Sequence, residues 1–140
     1  MRQTRQLIRV RQVMTHRFDL VDGLMTVSEG LAKMKRLGAE ALLVDKRHPD
    51  DEYGIVLLSD MARHVLARDR APERVNIYEI MSKPVVSVDP EMDIRYCARL
   101  FERFGLAYAP VIACGELVGI VSYADMVLEG LCASIDHEGE

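Results

Sequence analysis

Apolar residues recur at helical spacing in two segments of the chain, and each segment ends at a glycine. The first segment follows a threonine with a glutamate three residues later, Thr26 and Glu29, and stops at Gly38. The second follows Asp93, which can cap a helix, and stops at Gly105. We therefore predict two amphipathic helices whose apolar face comprises Val27, Leu31, Met34, Ile94, Cys97, Ala98 and Phe101.

Each predicted helix is followed by two short apolar runs and then by a second helical pattern. The runs at 41–44 and 54–57 follow the first helix, and those at 108–112 and 119–122 follow the second. Turn residues separate the runs of each pair, which is typical of antiparallel strands. The closing helices are marked by Met61, Val65 and Leu66 in one case and by Met126, Val127 and Leu131 in the other.

These matching patterns arise from an internal duplication. The stretch from Gly54 to Asp60 returns 65 positions later as Gly119 to Asp125. A second set of matches lies 67 positions apart, because the loop at 45–53 is two residues longer than its counterpart. Each copy therefore reads as strand, helix, strand, strand, helix.

Several short motifs recur at fixed places in the two copies and identify a family. They are Val13-Met14-Thr15, Ile80-Met81-Ser82, Val85-Val86-Ser87-Val88 with Pro90, Ala109-Pro110-Val111, and the two glycine-to-aspartate stretches. In order, spacing and duplication the chain resembles a tandem pair of CBS domains, a module first described in cystathionine β-synthase. The resemblance implies an α/β (α+β) fold, in which two pseudo-symmetric β-α-β-β-α repeats pack through their sheets with ligand clefts between them.

The repeats also suggest the domain boundaries. We expect a lead-in segment at 1–12, a helix or an extended stretch packed on the first repeat, which spans 13–70. A linker at 71–79 precedes a second repeat at 80–133, and a disordered tail follows at 134–140.

In CBS pairs the clefts bind adenosine-containing ligands, and the second copy carries the residues for such a site. The resemblance places Asp125 as the acceptor for the ribose hydroxyls and Ser122 as a donor to phosphate or ribose oxygen. The apolar slot for the base is predicted to be formed by Pro84, Val85, Val86, Tyr108, Ala109 and Pro110.

The first copy departs from this pattern, so its cleft is predicted to bind more weakly. Leu57 replaces the hydroxyl residue, and Glu40 places a negative charge where the family often has arginine or histidine. Losing one charge-assisted hydrogen bond costs roughly 1.5–3 kcal/mol, about tenfold or more in affinity. The residues retained for this weaker cleft are Asp60, Arg17, Phe18 and Ala41. His16 and Arg17 could compensate for the lost donor, but the pattern favours exposed loop positions for both.

Composition narrows the functional class. The 140 residues carry a net charge of −4, which argues against nucleic acid as a partner, and no apolar run is long enough to cross a membrane. The N-terminus shows no export signal, so we expect a cytoplasmic protein whose three cysteines are reduced and mostly packed. Neither a nucleophile motif nor a metal-ligand spacing is present, so we expect no catalysis and no required cofactor or metal.

We therefore expect a regulatory sensor that binds an adenosine ligand, with AMP, ADP or ATP foremost and S-adenosylmethionine or NAD as alternatives. A ligand-free oligomerisation or protein-docking module with the same fold is the competing hypothesis. We also expect a homodimer, formed through Met61, Val65, Met126 and Leu131, and an effector protein that reads the bound state.

Overall fold

The two amphipathic segments are helices in the computed structural model, which describes residues 7–133. The elements in chain order are α1 (Val10–Val13), β1 (Leu20–Val21), α2 (Val27–Leu37), β2 (Ala41–Val44), β3 (Gly54–Leu57), α3 (Leu58–Met61, continued by a π-helical segment Ala62–Leu66), the short 3₁₀ turns Pro72–Arg74 and Ile77–Glu79, α4 (Ile94–Phe104), β4 (Tyr108–Ala113), β5 (Glu116–Ser122) and α5 (a π-helical segment Asp125–Leu131).

Local capping explains where the long helices begin and end. The hydroxyl of Thr26 accepts a hydrogen bond of 3.1 Å from the backbone N–H of Glu29, and Asp93 caps α4 through the N–H of Arg95. Gly38 and Gly105 both follow their helices in the left-handed conformation, with φ of 66° and 64°. The caps predicted from the sequence are therefore confirmed.

The described residues divide into two units, a central unit of residues 17–85 and a terminal unit of residues 7–16 and 86–133. The central unit has a three-stranded sheet in the order β1-β2-β3, with β1 parallel and β3 antiparallel to β2. Every residue of β2 is buried. The core of this unit is formed by Val21, Val27, Met34, Leu42, Val44, Val56, Met61, Val65, Val75, Ile77 and Ile80.

The terminal unit is built on the antiparallel pair β4 and β5, joined by a tight turn in which Cys114 and Gly115 both have positive φ. The first strand of the second copy is reduced to a single parallel bridge between Val88 and Val111, since the chain turns immediately afterwards at Asp89 and Pro90. The core of this unit is formed by Ile8, Val10, Val13, Val88, Cys97, Phe101, Ala109, Val111, Val121 and Met126.

The start of each repeat lies on the sheet of the other repeat, so the units differ from the repeat boundaries predicted at 13–70 and 80–133. Thr15 exchanges two backbone hydrogen bonds with Ile120 in β5, of 2.9 and 3.0 Å. Ser82 exchanges two with Ile55 in β3. A sequence repeat shows that segments are equivalent, but it does not show which sheet each of them joins.

The lead-in segment belongs to the same arrangement. Its described part, residues 7–12, includes α1 and the buried residues Ile8 and Val10 in the core of the terminal unit. The expectation that it packs on the first repeat is therefore wrong, since its core partners come from the second. The tail predicted at 134–140 lies outside the described residues.

Burial corrects two further expectations. Met61, Val65 and Met126 are buried in their own units, so they are not open for a dimer contact. Only one cysteine, Cys97, is packed, because Cys114 lies in the exposed turn and Cys132 near the end of the last helix. No helix within residues 7–133 is long and apolar enough to cross a membrane.

Candidate ligand-binding site

The serine and the aspartate predicted to bind a ligand lie together where β5 ends and α5 begins. Asp125 Oδ2 accepts hydrogen bonds from the backbone N–H of Ser122, at 2.9 Å, and from its hydroxyl, at 3.0 Å. The backbone N–H of Asp125 in turn donates to Ser122 Oγ at 3.2 Å. These reciprocal bonds hold both side chains in fixed positions at the start of the helix.

The bonding pattern leaves the two groups with different capacities. The single hydroxyl proton of Ser122 is donated to Asp125, so in this arrangement the serine can only accept from a ligand. The other carboxylate oxygen of Asp125, Oδ1, makes no hydrogen bond within residues 7–133, and the side chain is half-buried. The carboxylate can therefore accept at least one hydroxyl proton from a ligand.

Tyr108 stands beside this pair, because it is the direct partner of Ser122 across β4 and β5. Its side chain is half-buried. Val86, also half-buried, comes two residues before Val88, which hydrogen-bonds to β4. The terminal unit thus places the aromatic ring of Tyr108 on the strand next to the serine–aspartate pair.

The remaining predicted slot residues are arranged differently. The side chains of Ala109 and Pro110 are buried, so they form interior packing, and only their backbone could contact a ligand. Pro84, which is exposed, and Val85, which is half-buried, belong to the central unit. Burial does not alternate in this part of β4, since Ala109, Pro110 and Val111 are all buried.

In the equivalent aspartate of the central unit, both carboxylate oxygens already accept hydrogen bonds from the protein. Asp60 is only 6% exposed, and its Oδ2 accepts the backbone N–H of Leu57 at 2.8 Å. Its Oδ1 accepts from the guanidinium of Arg63 at 3.1 Å. The residue equivalent to Arg63 in the second copy is Leu128, so Asp125 has no such partner. The sequence analysis missed Arg63, although the duplicated alignment shows this difference.

The other residues predicted for the weaker site differ in their exposure. Ala41 pairs with Leu57 across β2 and β3 and is buried, where the terminal unit has Tyr108 and Ser122. Arg17 is exposed and Phe18 is half-buried. His16 belongs to the terminal unit, where its Nδ1 lies 3.1 Å from the carbonyl oxygen of Val118. His16 is exposed, as expected for a loop residue.

No group of three or more His, Cys, Asp or Glu side chains within residues 7–133 is arranged to hold a metal ion. Burial raises the pKa of the Cys97 thiol to about 11, so this packed cysteine stays protonated near neutral pH.

Both a family model and a curated protein match this chain. The family model of the CBS domain matches residues 77–130. A curated relative, an uncharacterised protein of Methanopyrus kandleri, is 28% identical over 116 residues, or 81% of this chain. The chain spans 59% of the length of that relative.

Two solved structures extend the comparison to the whole fold. The hexameric CBS-CP12 protein from bloom-forming cyanobacteria is 35% identical, with a TM-score of 0.86 over 89% of this chain and 72% of that one. The CBS domain pair of protein MJ0100, in complex with 5′-methylthioadenosine and S-adenosyl-L-methionine, has a TM-score of 0.78. It is 18% identical, and the match covers 91% of this chain and 99% of that one.

Proposed function

The chain belongs to the CBS domain family, as a tandem pair of these regulatory modules, and we propose that it binds an adenosine-containing ligand through Ser122 and Asp125. The proposal concerns the terminal unit, where these two residues lie beside Tyr108. The binding changes the module or a partner protein and involves no catalysis by the chain itself. A cytoplasmic location and an effector protein remain predictions from the sequence.

The chemistry of Asp125 supports an adenosine ligand. A ribose presents two adjacent hydroxyl groups, and a carboxylate can accept hydrogen bonds from both. Oδ2 already accepts two hydrogen bonds from Ser122, whereas Oδ1, which makes none within residues 7–133, has two lone pairs for the ribose hydroxyls. The ring of Tyr108, opposite Ser122, can pack against a flat base.

The contrast between the two copies carries the proposal. Asp60 and Asp125 occupy equivalent positions, but Arg63 is bonded to Asp60 and neutralises its charge, whereas Leu128 stands at the equivalent position in the second copy. A duplicated capping aspartate would need no such difference if both served only to begin a helix. We therefore propose one ligand per chain, held at Asp125.

AMP, ADP and ATP are the proposed ligands, with S-adenosylmethionine and NAD as alternatives, since all five contain adenosine. The complex of the MJ0100 CBS pair contains two adenosine derivatives, which supports adenosine as the recognised part. Isothermal titration against adenosine, AMP, ATP, S-adenosylmethionine and NAD tests the proposal. We expect saturable binding of at least one of them with one site per chain.

A second titration, with the Ser122→Ala variant, distinguishes a contact of the serine with the phosphate from a contact with the ribose. If the serine contacts the phosphate, Ser122→Ala should weaken the binding of AMP and ATP and leave the binding of adenosine unchanged. If the serine contacts the ribose or acts through Asp125, the substitution should weaken the binding of all these ligands. The bonds from Ser122 to Asp125 favour the second outcome.

Self-association is the second part of the proposal, and it rests on a surface that shares only Leu131 with the one predicted. The closing helix of the terminal unit and its first turn expose Tyr123, Val127, Leu128 and Leu131. An apolar surface of this kind usually marks an interface. The cyanobacterial CBS-CP12 relative is hexameric, which agrees with assembly of such modules. We propose a homodimer formed through this face. If no adenosine ligand binds, the surface favours the oligomerisation module instead.

A further inference from the structure

The central unit contains a cavity of 480 Å³ that is distinct from the serine–aspartate site. It opens where the parallel strands β1 and β2 end, and its lining comes from residues 20–24, residues 44–47, Tyr78, Met81 and Lys83. Asp60 follows β3 at the opposite end of the same sheet, because Leu57 pairs with Ala41 at the start of β2. The cavity therefore shares no residue with either copy of the predicted adenosine site.

A single aspartate fixes one wall of this cavity. Asp51 Oδ2 accepts hydrogen bonds from Lys83 Nζ and from the backbone N–H of Arg47, both at 2.8 Å. The Lys83 ammonium holds the pKa of Asp51 well below its usual range, so this pair stays charged. The loop at 45–53 is thereby tied to the Lys83 side chain, and the backbone of Arg47 is held in the same bonding arrangement.

Two of these cations have no acidic partner. Within residues 7–133 neither Lys46 nor Arg47 forms an ion pair with a carboxylate. The ammonium of Lys46 instead lies 4.8 Å from the centre of the Tyr53 ring. The carboxylates of Asp22 and Asp45 are bonded to the backbone N–H groups of Leu24 and Lys46. An anion can therefore bind at the Lys46 and Arg47 side.

The charge balance limits how much negative charge the cavity accepts. Asp22, Asp45 and Asp51 offset Lys46, Arg47 and Lys83, so the region is formally neutral. A polyanion such as nucleic acid would meet the three carboxylates, whereas one anionic group would meet the two unpaired cations first. The remaining lining is apolar or aromatic, with Leu20, Val44, Met81 and Tyr78.

The cationic loop that lines this cavity differs between the two copies. The second copy replaces the nine-residue loop by the tight turn at Cys114 and Gly115, which contains no lysine or arginine. Lys46 and Arg47 correspond to Ala113 and Cys114 in the second copy, so these two cations of the cavity lining are specific to the first copy. A loop needed only to join two strands could be as short as its counterpart.

We propose that this cavity binds a small organic anion, in which one carboxylate or phosphate group is joined to an apolar or aromatic body. The anionic group lies at Lys46 and Arg47, and the apolar body lies against Tyr78 and Met81. This site is separate from the adenosine site, so either can fail without the other.

Amide NMR spectra of the intact chain test the proposal with four probes: phenyl phosphate, phenylacetate, inorganic phosphate and benzyl alcohol. We expect phenyl phosphate or phenylacetate to shift amide signals of residues 20–24 and 44–47, and the stronger of the two identifies the anionic group. Inorganic phosphate lacks the aromatic body and benzyl alcohol lacks the anionic group, so each should bind at least roughly tenfold more weakly. Shifts confined to other residues, or equal affinity for benzyl alcohol, would overturn the proposal.

A matched pair of variants separates the cavity from general charge effects. Arg47→Ala should weaken the preferred anion by roughly tenfold, since it removes one charged hydrogen-bond donor. Arg36→Ala removes an exposed arginine of α2 in the same unit, outside the cavity lining, and should leave the affinity unchanged. Equal affinities in both variants and the parent would contradict the proposal. Both variants should give the parent's dispersed spectrum, because neither arginine side chain is buried.

Discussion

At the scale of single residues, Asp60 and Asp125 show how a duplicated position changes its chemistry through one neighbour. Arg63 donates to Asp60, and Leu57 stands where the second copy has its serine. The central unit therefore lacks both features that favour a ligand at Asp125, namely a serine three residues before the aspartate and a carboxylate without an arginine three residues later. The two copies are thus internal controls for each other.

Reversing both differences should create a second site. The double variant Leu57→Ser/Arg63→Leu gives the central unit the same serine, aspartate and leucine as the terminal unit. We expect titration with the preferred adenosine ligand to change from one site per chain to two, with the new site weaker because Glu40 and Ala41 remain. Each single variant should retain one site. If the double variant also keeps one site, the argument from Arg63 is wrong.

Asp93 gives a prediction about pH. The Arg95 guanidinium holds the pKa of this carboxyl below its usual range, through hydrogen bonds as short as 2.7 Å. A carboxyl with a lowered folded-state pKa stabilises the fold above its unfolded pKa, about 3.9, and this stabilisation is lost as the pH falls further. Asp93→Asn should therefore lower the free energy of unfolding at pH 7, and the deficit should shrink below about pH 4. A deficit that is constant with pH would show that the charge contributes nothing.

The residue types of the site could be predicted from the sequence, but their bonds could not. The repeat and the family motifs identified Ser122 and Asp125. That the serine donates its only proton to the aspartate depends on the angle between β5 and α5, which no spacing reveals. Arg63 was missed because an exposed arginine on a helix is common, and its partner becomes evident only from the coordinates.

At the scale of elements, the amphipathic spacing and caps predicted α2 and α4 correctly, with their glycine ends. The exchange of the segments at Thr15 and Ser82 was not predicted, because each forms only a single bridge and has no periodic pattern. Backbone partners of this kind depend on the tertiary structure. They also explain the glycine that begins each duplicated strand motif.

The two glycines should differ in their tolerance of a side chain. A Cβ atom on Gly119 would lie 3.1 Å from the carbonyl oxygen of Thr15, which accepts the N–H of Ile120. The equivalent oxygen, from Ser82, would lie 3.4 Å from a Cβ on Gly54, an ordinary contact. In both cases the flexible end of a methionine must also move. Gly119→Ala should therefore cost about 1–3 kcal/mol in urea unfolding, and more than Gly54→Ala. The reverse order would contradict the packing described for β5.

At the scale of the whole molecule, the duplication predicted two similar units from one chain, and the family of the fold followed from the motifs. Three of the four residues predicted for the interface, Met61, Val65 and Met126, are buried instead, because helical spacing alone does not distinguish the buried face from an exposed apolar one. Met126 is buried, whereas Val127 and Leu128, next to it in sequence, are exposed.

The exposed face of α5 predicts self-association. Leu128→Glu should shift the protein towards the monomer in light scattering, because it places a charge in the proposed apolar interface. Leu66→Glu, at the even more exposed end of the helix in the central unit, is the matched control and should have less effect. A parent protein that is strictly monomeric at tens of micromolar, with or without nucleotide, would show that this face does not associate.

The central claim, that Asp125 holds an adenosine ligand, is tested most directly by calorimetric titration of Asp125→Ala beside Asp60→Ala. The ligand is whichever of adenosine, AMP, ATP, S-adenosylmethionine and NAD binds the parent most tightly. Asp125→Ala should lose on the order of 2 kcal/mol of binding, about thirtyfold, because the ribose hydroxyls lose a charged acceptor. Asp60→Ala should bind as the parent does, and the unliganded Asp125→Ala variant should remain folded in thermal melting. If Asp125→Ala binds as tightly as the parent, or if the parent binds none of the five ligands, the assignment of this site is wrong.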